Sequence, residues 1–386
     1  MSVQNSQENN NDVPRLAVAL GGGGARAAYQ VGVLRGIAAK FPDLAMPILT
    51  GVSAGGINVS FLANHTGTFR QKVEDLSHLW KHLGFSDVFE VRPARLLWQV
   101  AQVGMRLSIG APPGVPRVTG MVDTAPLRRF LNRTLNTSDG TLPGIAQNLA
   151  AGQLHAVALT ALNYATGESV TFVEGRAITE WERPLRKSIN TSLTIDHTMA
   201  SAALPLFFPP VQIGDDWYGD GGIRLVAPLA PAVHLNANRL LVISTHYDFP
   251  NDTPIHRKSE YPPSPAVVMG ALYNSVFLDQ LDQDILQMKR INSLLHRIPP
   301  EHRQGLREIE TVVIRPSQDI GKLANAYETK LPGTLRYFMR RLGSRETKDQ
   351  DFISTIMFQR EYVAEMLELG ERDAAANMDR IAAQLT

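Results

Sequence analysis

The sequence contains no cysteine among its 386 residues. Disulfide frameworks, thiolate metal sites and cysteine nucleophiles are therefore all excluded. The chain also carries little net charge, +1 with histidine neutral. No strongly basic field is thus present to recruit nucleic acid, or to hold an anionic membrane by charge alone. The lack of cysteine fits a reducing compartment.

Long apolar runs are absent as well. No stretch reaches the roughly 18 uninterrupted apolar residues that a membrane-spanning helix needs. Residues 1–12 lack the basic start and apolar core of a signal peptide. These absences predict a soluble, cytoplasmic protein whose contact with a membrane, if any, is peripheral. What is present, 44% hydrophobic and 19% charged residues, is typical of a globular chain with a sizeable core.

A glycine loop lies near the start of the chain. An apolar run at 15–20 predicts a buried strand, Gly21, Gly22, Gly23 and Gly24 follow it, and the spacing turns helical over 27–40. A dinucleotide site also begins in this way, but it needs an acidic residue at the end of the second strand. Asp43 lies before that strand, and Ala27 occupies the place of the third glycine. We therefore favour an oxyanion hole, in which consecutive glycines point backbone N–H groups into one concavity.

A Gly-x-Ser-x-Gly motif follows at residues 51–55. It stands between an apolar run at 46–50 and a stretch at 56–63 that can continue as a helix. This order is that of a nucleophile elbow, in which Gly51 and Gly55 allow a tight turn and Ser53 stands exposed at its apex. The beginning of the following helix favours developing negative charge. The pattern predicts that Ser53 is a nucleophile.

The base that would activate Ser53 has more than one candidate. A triad would combine Asp220 with His234 or His246. Neither histidine stands in a glycine-shaped turn, whereas Asp220 is followed by Gly221 and Gly222 at the end of a predicted strand. A carboxylate acts as a base when it is desolvated and aligned with the hydroxyl. Asp220 is therefore the better candidate for direct contact with Ser53.

Together, and in this order, the glycine loop, the elbow and the Asp-Gly-Gly motif resemble the patatin-like phospholipases. The resemblance covers roughly residues 15–245. It implies a three-layer α/β/α fold with a mostly parallel central sheet, and a serine lipid acyl hydrolase that needs no cofactor or metal. By position, Ser53 is the nucleophile and Asp220 the general base. The oxyanion loop is supplied by Gly22, Gly23, Gly24 and Arg26, and the sequence departs from the family pattern at Ala27.

The implied partner is a lipid ester, with hydrolysis of the phospholipase A or lysophospholipase type. Acyl transfer on the same dyad and lipid binding without catalysis are the alternatives. The expected organisation is a disordered tail at 1–13, a catalytic domain at 14–245 and a mainly helical extension at 246–386. A cap-like insertion is expected at about 84–122, where an apolar helix carries Leu96, Leu97, Trp98 and Met105. Helices are further predicted at 182–191 and, unbroken, at 352–369.

Overall fold

The computed structural model describes residues 15–90, 120–137, 139–248, 268, 271, 279–333, 336 and 351–385. Two predictions lie wholly or mostly outside these residues: the tail at 1–13, and the cap-like insertion at about 84–122 with the apolar helix that carries Leu96, Leu97, Trp98 and Met105.

Within the described residues, ten strands form one mixed sheet. They are β1 (Leu16–Leu20), β2 (Ile48–Val52), β3 (Ala156–Asn163), β4 (Ser169–Gly175), β5 (Glu182–Arg183), β6 (Arg186–Asn190), β7 (Val211–Ile213), β8 (Asp216–Asp220), β9 (Arg239–Ile243) and β10 (Glu310–Ile314). Their order is β10-β9-β1-β2-β3-β4-β6-β5, and a hairpin of β7 and β8 attaches to β3. The strands from β10 to β3 are parallel neighbours, which agrees with the mostly parallel sheet that the resemblance implies.

Helices cover both faces of this sheet. They are α1 (Ala28–Lys40), α2 (Ala54–Asn64), α3 (Phe69–His82), α4 (Phe85–Val88), α5 (Ala125–Thr134), α6 (Pro143–Ala150), α7 (Ile195–Ser201), α8 (Ala230–His234), α9 (Asp279–Leu295), α10 (Ile320–Asn325), α11 (Asp351–Thr355), α12 (Arg360–Ala376) and α13 (Met378–Leu385). Alternate residues of β1 belong to different cores: Val18 and Leu20 pack with α1 to α3, and Ala17 and Ala19 pack with α8 and α9. Burial on both faces explains why the central strands read as continuous apolar runs. The three-layer α/β/α prediction is confirmed.

The helix predicted at 182–191 is wrong. This segment forms β5 and β6, which pair with each other, and β6 also pairs in parallel with β4. Pro184 stands in the connecting turn, and Leu185 has a positive φ of 61°, which a helix does not tolerate. The free edge of β4 accepts the segment as a strand, so that a tertiary contact overrides a weak local preference.

The helix predicted at 352–369 is two helices, α11 and α12, separated at residues 356–359. The second of these packs against α1 with almost no side chain between the two backbones. A Cβ on Gly32 would lie 2.1 Å from the carbonyl oxygen of Leu367, and one on Gly370 would lie 2.2 Å from that of Tyr29. This contact holds the C-terminal helices against the helix that follows the glycine loop. The division of the chain at residue 245 stays a prediction.

Candidate active site

Ser53 occupies the apex of a sharp turn between β2 and α2. Its backbone has φ 56° and ψ −133°, a combination that residues with a side chain rarely adopt. The space around the turn is equally restricted. A Cβ on Gly51 would lie 2.8 Å from the carbonyl oxygen of Gly55, and one on Gly55 would lie 2.3 Å from that of Leu20. The glycines of the elbow are therefore required by close backbone contacts, as the motif predicts.

Ser201, at the end of α7, holds the elbow in this conformation. The backbone N–H of Ser53 donates to both the carbonyl oxygen and the hydroxyl of Ser201, each at 3.1 Å. The Ser201 hydroxyl in turn donates to the carbonyl oxygen of Thr160 on β3, at 2.7 Å. Sequence reasoning gave Ser201 no role. No pattern near Ser201 in the sequence indicates a contact with the elbow, because Ser201 lies 148 positions beyond Ser53.

Strand register brings Asp220 to the same place as the elbow. On β3, Thr160 is the partner of Val52 from β2, and the next residue, Ala161, is the partner of Asp220 from β8. The opposite edge of β3 is occupied by β4 along this length. Hence β8 pairs with the same edge of β3 as β2 does, and its pairing begins where that of β2 ends. Asp220 is thereby placed beside Ser53, which follows Val52 directly.

The Asp220 carboxylate is completely buried. Its Oδ1 accepts a hydrogen bond from the backbone N–H of Gly222 at 2.8 Å, whereas Oδ2 has no partner of good geometry among the described residues. Burial raises the pKa of Asp220 to about 7, against the smaller opposing effects of the Ser53 hydroxyl and the Gly222 N–H. The hydroxyl is thus close to the carboxylate but is not aligned with Oδ2. Alignment of catalytic groups commonly tightens only when substrate binds.

The glycine loop passes directly over Ser53. A Cβ on Gly22 would lie 3.0 Å from the Cβ of Ser53. Gly24 has a φ of 56°, in the left-handed region that favours glycine. The carbonyl of Gly22 accepts a hydrogen bond from Thr245 Oγ1 and that of Gly21 accepts one from Gln30 Nε2, both at 2.8 Å. These two hydrogen bonds fix the orientation of the peptide carbonyls of Gly21 and Gly22.

A buried polar network joins the loop to the helix behind Ser53. Asn58 on α2 donates from Nδ2 to the carbonyl of Ala27 at 3.2 Å and to Gln30 Oε1 at 3.0 Å. It accepts a hydrogen bond from Trp80 Nε1 at 2.8 Å. Ala27 itself has a φ of −65°, which alanine adopts without strain. The departure from the family pattern at this position therefore imposes no unusual backbone.

Arg26 lies just beyond the glycines in a short 3₁₀ turn, Gly24–Ala27. Its side chain is 2% exposed, and Nε donates to the Ser354 hydroxyl of α11 at 2.6 Å. The guanidinium therefore contacts the C-terminal helices. No feature of the sequence indicates this contact, because Arg26 and Ser354 lie 328 positions apart.

A cavity with almost entirely apolar walls opens at Ser53. It contains about 620 Å³ of empty space, a figure that includes the open solvent at its mouth. Its walls include Ile57, Leu127, Phe130 and Phe208. A second cavity, with about 690 Å³ of empty space including its mouth, borders the glycine loop at Gly21 and Gly22. It is lined by Gly22 and Gly222 and, unlike the first, by several hydroxyl side chains: Thr50, Thr160, Ser244 and Thr245.

The two histidines considered as bases have other partners. His234 is stacked on Trp181, at 4.7 Å between ring centroids, and His246 lies beside Asp282, at 3.3 Å. Two further histidines lie near strand or helix ends, and the first of them, His155, lies 3.1 Å from Arg15. His197 caps its own helix through Thr194, and burial lowers its pKa to about 4. Within the ranges described, no histidine hydrogen-bonds to Ser53 or Asp220.

A family model for patatin-like phospholipases matches residues 18–233, more than half of the 386-residue chain. The chain belongs to the patatin-like phospholipase family. The resemblance seen in the three motifs is thereby confirmed. No curated protein matches the chain in a sequence comparison.

Three solved structures are similar to this chain at low sequence identity. Human GIVD cytosolic phospholipase A2, in complex with methyl γ-linolenyl fluorophosphonate, is 13% identical over 97% of this chain and 59% of its own, with a TM-score of 0.43. VipD from Legionella pneumophila is 12% identical over 92% and 67%, with a TM-score of 0.33. ExoU from Pseudomonas aeruginosa, in its complex with SpcU, is 14% identical over 86% and 53%, with a TM-score of 0.29. The chain thus spans about three fifths of the human enzyme's structure.

The described residues contain no group of three or more histidine and acidic side chains that could hold a metal ion. None of their helices has the length and apolar character needed to cross a membrane.

Proposed function

We propose that this protein is a serine lipid acyl hydrolase that uses Ser53 as nucleophile and Asp220 as general base. The observation that carries the proposal is the register of β3, which sets Asp220 beside the elbow with one carboxylate oxygen unpartnered. Burial also supports it, because a carboxyl whose pKa is raised towards neutrality is a far better base than an exposed one.

In the acylation step, Asp220 takes the proton of the Ser53 hydroxyl while Oγ attacks the ester carbonyl carbon. The oxygen of the tetrahedral intermediate becomes negative and receives hydrogen bonds from N–H groups of the loop Gly22, Gly23 and Gly24. The N-terminus of α2, an 11-residue helix, adds its positive dipole end. The intermediate collapses, the ester C–O bond breaks, and the alcohol leaves with the proton from Asp220.

In the deacylation step, water replaces the alcohol. Asp220 removes a proton from the water as its oxygen attacks the acyl carbonyl carbon, and the same loop stabilises the second intermediate. The bond to Ser53 Oγ then breaks, Oγ recovers the proton from Asp220, and the fatty acid leaves. Asp220 is deprotonated again at the end, so the cycle needs no other proton carrier.

The two cavities suggest how the substrate lies. The apolar cavity next to Ser53 suits an acyl chain, because its walls offer almost no hydrogen-bonding groups. The second cavity, with hydroxyl groups from Ser244 and Thr245, suits the polar part of the ester. Acyl transfer is the second candidate, favoured by the burial of the site: Ser53 is 6% exposed and Asp220 0%, which limits access of water. An added alcohol acceptor would then take the acyl group faster than water does.

Contact with a lipid surface is part of the proposal. Trp217 and Tyr164 are neighbours on adjoining strand ends and are 48% and 46% exposed. The Tyr164 hydroxyl lies against Gly219, and its pKa is raised by burial and then by the charge of Asp220, so this aromatic pair stands beside the site. Such side chains are favoured at membrane interfaces. Trp217→Ser should reduce sedimentation of the protein with phosphatidylcholine vesicles, without reducing hydrolysis of a short soluble ester. Unchanged sedimentation would remove this contact from the proposal.

The nucleophile is tested by covalent labelling. A fluorophosphonate probe should label the wild-type protein at Ser53, and Ser53→Ala should abolish both labelling and ester hydrolysis while the protein stays folded. Ser60→Ala is the matched control. Ser60 is a buried serine on α2, the helix that follows Ser53, and it hydrogen-bonds to Thr198 at 2.8 Å. Labelling of Ser53→Ala, or loss of labelling in the control alone, would refute the assignment.

A further inference from the structure

The glycine loop is attached to α11, a helix about 330 residues further along the chain. The attachment is the hydrogen bond from Arg26 Nε to the Ser354 hydroxyl at 2.6 Å. Both side chains are buried, at 2% and 0% exposure. Arg26 follows Gly24 closely, so its position determines where the loop ends.

Backbone contact reinforces this attachment. A Cβ on Gly24 would lie 2.1 Å from the carbonyl oxygen of Thr355 and 2.6 Å from its Cγ2. The loop and α11 therefore touch without an intervening side chain. Any displacement of α11 towards the loop is blocked at Gly24, and the Ser354 hydroxyl opposes displacement in the other direction by holding Arg26.

The same segment also forms part of the wall of the acyl cavity. Thr355, Ile356 and Phe358 line it together with Ser53 and Gly24. Thr355, Ile356 and Phe358 all lie beyond the 18–233 range that the family model matches. A segment outside the family region therefore contacts the loop and the cavity of the proposed site at once.

We propose that Ser354 is a positioning residue that holds the oxyanion loop in its working conformation through Arg26; the catalytic part of this statement rests on the proposed function. Consecutive glycines have many accessible conformations, and the loop needs external contacts to select one of them. Oxyanion donors act only when they are aimed at the place where charge develops, and small displacements are costly to the rate. Ser354 itself does not touch the substrate.

The test compares two variants that each remove one buried hydroxyl. Ser354→Ala removes the hydroxyl that accepts the hydrogen bond from Arg26 Nε. The matched control, Tyr29→Phe, removes the hydrogen bond from Tyr29 to Asp373 Oδ2, 3.0 Å long, which also joins an N-terminal element to the C-terminal helices but does not involve the loop. On a short soluble ester, Ser354→Ala should lower kcat about tenfold or more with KM nearly unchanged. Tyr29→Phe should lower Tm and leave kcat within about twofold of wild type.

Arg26→Lys provides a second variant in case Ser354→Ala folds poorly. It keeps the positive charge but lacks Nε, so it should lower kcat in the same way, and its effect should not add to that of Ser354→Ala. Equal kcat losses in Tyr29→Phe and Ser354→Ala, or fully additive losses for Arg26 and Ser354, would overturn the proposal.

Hydrogen–deuterium exchange provides a readout that needs no catalysis. Amides of residues 22–27 should exchange faster in Ser354→Ala than in wild type or in Tyr29→Phe. If no ester is hydrolysed by the wild-type protein, the proposed function fails, and this measurement still decides whether Ser354 holds the loop. Unchanged exchange over 22–27 would refute the positioning role even in an active hydrolase.

Discussion

Replacing Asp220 by asparagine should make the protein inactive and, at alkaline pH, more stable. The carboxylate is fully buried with Oδ2 unpartnered among the described residues, so its charged form is costly to the folded state. Asparagine has nearly the same shape, and its carbonyl oxygen can accept the Gly222 N–H that now reaches Oδ1. It has no charge to bury and cannot take the proton of Ser53.

The magnitude follows from the pKa of Asp220. Its rise from 3.8 to about 7 corresponds to about 4 kcal/mol, at about 1.4 kcal/mol per pKa unit. Because the pKa is raised in the folded state, the folded protein binds the proton more tightly than the unfolded chain does. The stability contributed by protonated Asp220 is complete below about pH 4 and is lost as the pH rises to about 7. The stabilising effect of Asp220→Asn should therefore be small at pH 4 and should grow by about 4 kcal/mol by pH 8.

Urea unfolding of wild type and variant at several values between pH 4 and 8 measures this difference. Asp43→Asn is the control, because it makes the same chemical change at an exposed carboxylate that precedes β2, at the end of that strand opposite to Ser53. It relieves no burial and should not reproduce the increase of about 4 kcal/mol. In parallel, Asp220→Asn should lower kcat about 10²- to 10⁴-fold, the usual contribution of a general base. A stability difference that does not change with pH would refute the burial argument, and a fully active variant would refute the base.

Two further predictions concern the histidines and the acyl cavity. Each of four single variants should lose little activity: His155→Gln, His197→Gln, His234→Gln and His246→Gln. In every one, the rise of kcat/KM with pH should stay centred near 7, because Asp220 has its pKa there. Loss of this titration in a folded His→Gln variant would instead indicate a triad. Phe358→Ala should enlarge the cavity and shift the preferred acyl chain of p-nitrophenyl esters to greater length, with butyrate hydrolysis nearly unchanged; an equal loss on all chain lengths would mean that Phe358 only supports the fold.

The titration of Asp220 also changes how a pH profile is interpreted. A dyad would be expected to lack the transition near neutral pH that a catalytic histidine produces. Here the buried carboxyl titrates in the same range, with a pKa of about 7. A neutral transition therefore does not distinguish the two mechanisms unless the histidines are substituted as well.

Much of the fold was predictable because it depends on local signals. The apolar runs that became β1, β2 and β3 are buried on both faces, and Gly51 is imposed by a backbone contact with Gly55 in the same turn. The strand pair at 182–191 was missed for the opposite reason. Its pairing partner, β4, accepts it at an edge that no local pattern reveals.

By itself, the sequence determined the chemical groups and the turns that present them: a serine between glycines after a strand, four glycines before a helix, and an aspartate before two glycines. Only the tertiary structure decided that Asp220 stands beside Ser53, since this depends on consecutive partners along β3. It also decided that Ser201 and Ser354 hold the elbow and the loop, through hydrogen bonds that join residues 148 and 328 positions apart. The physical reason is that turn geometry depends on neighbouring residues in the chain, whereas burial, pKa and alignment depend on whichever residues the fold brings into contact.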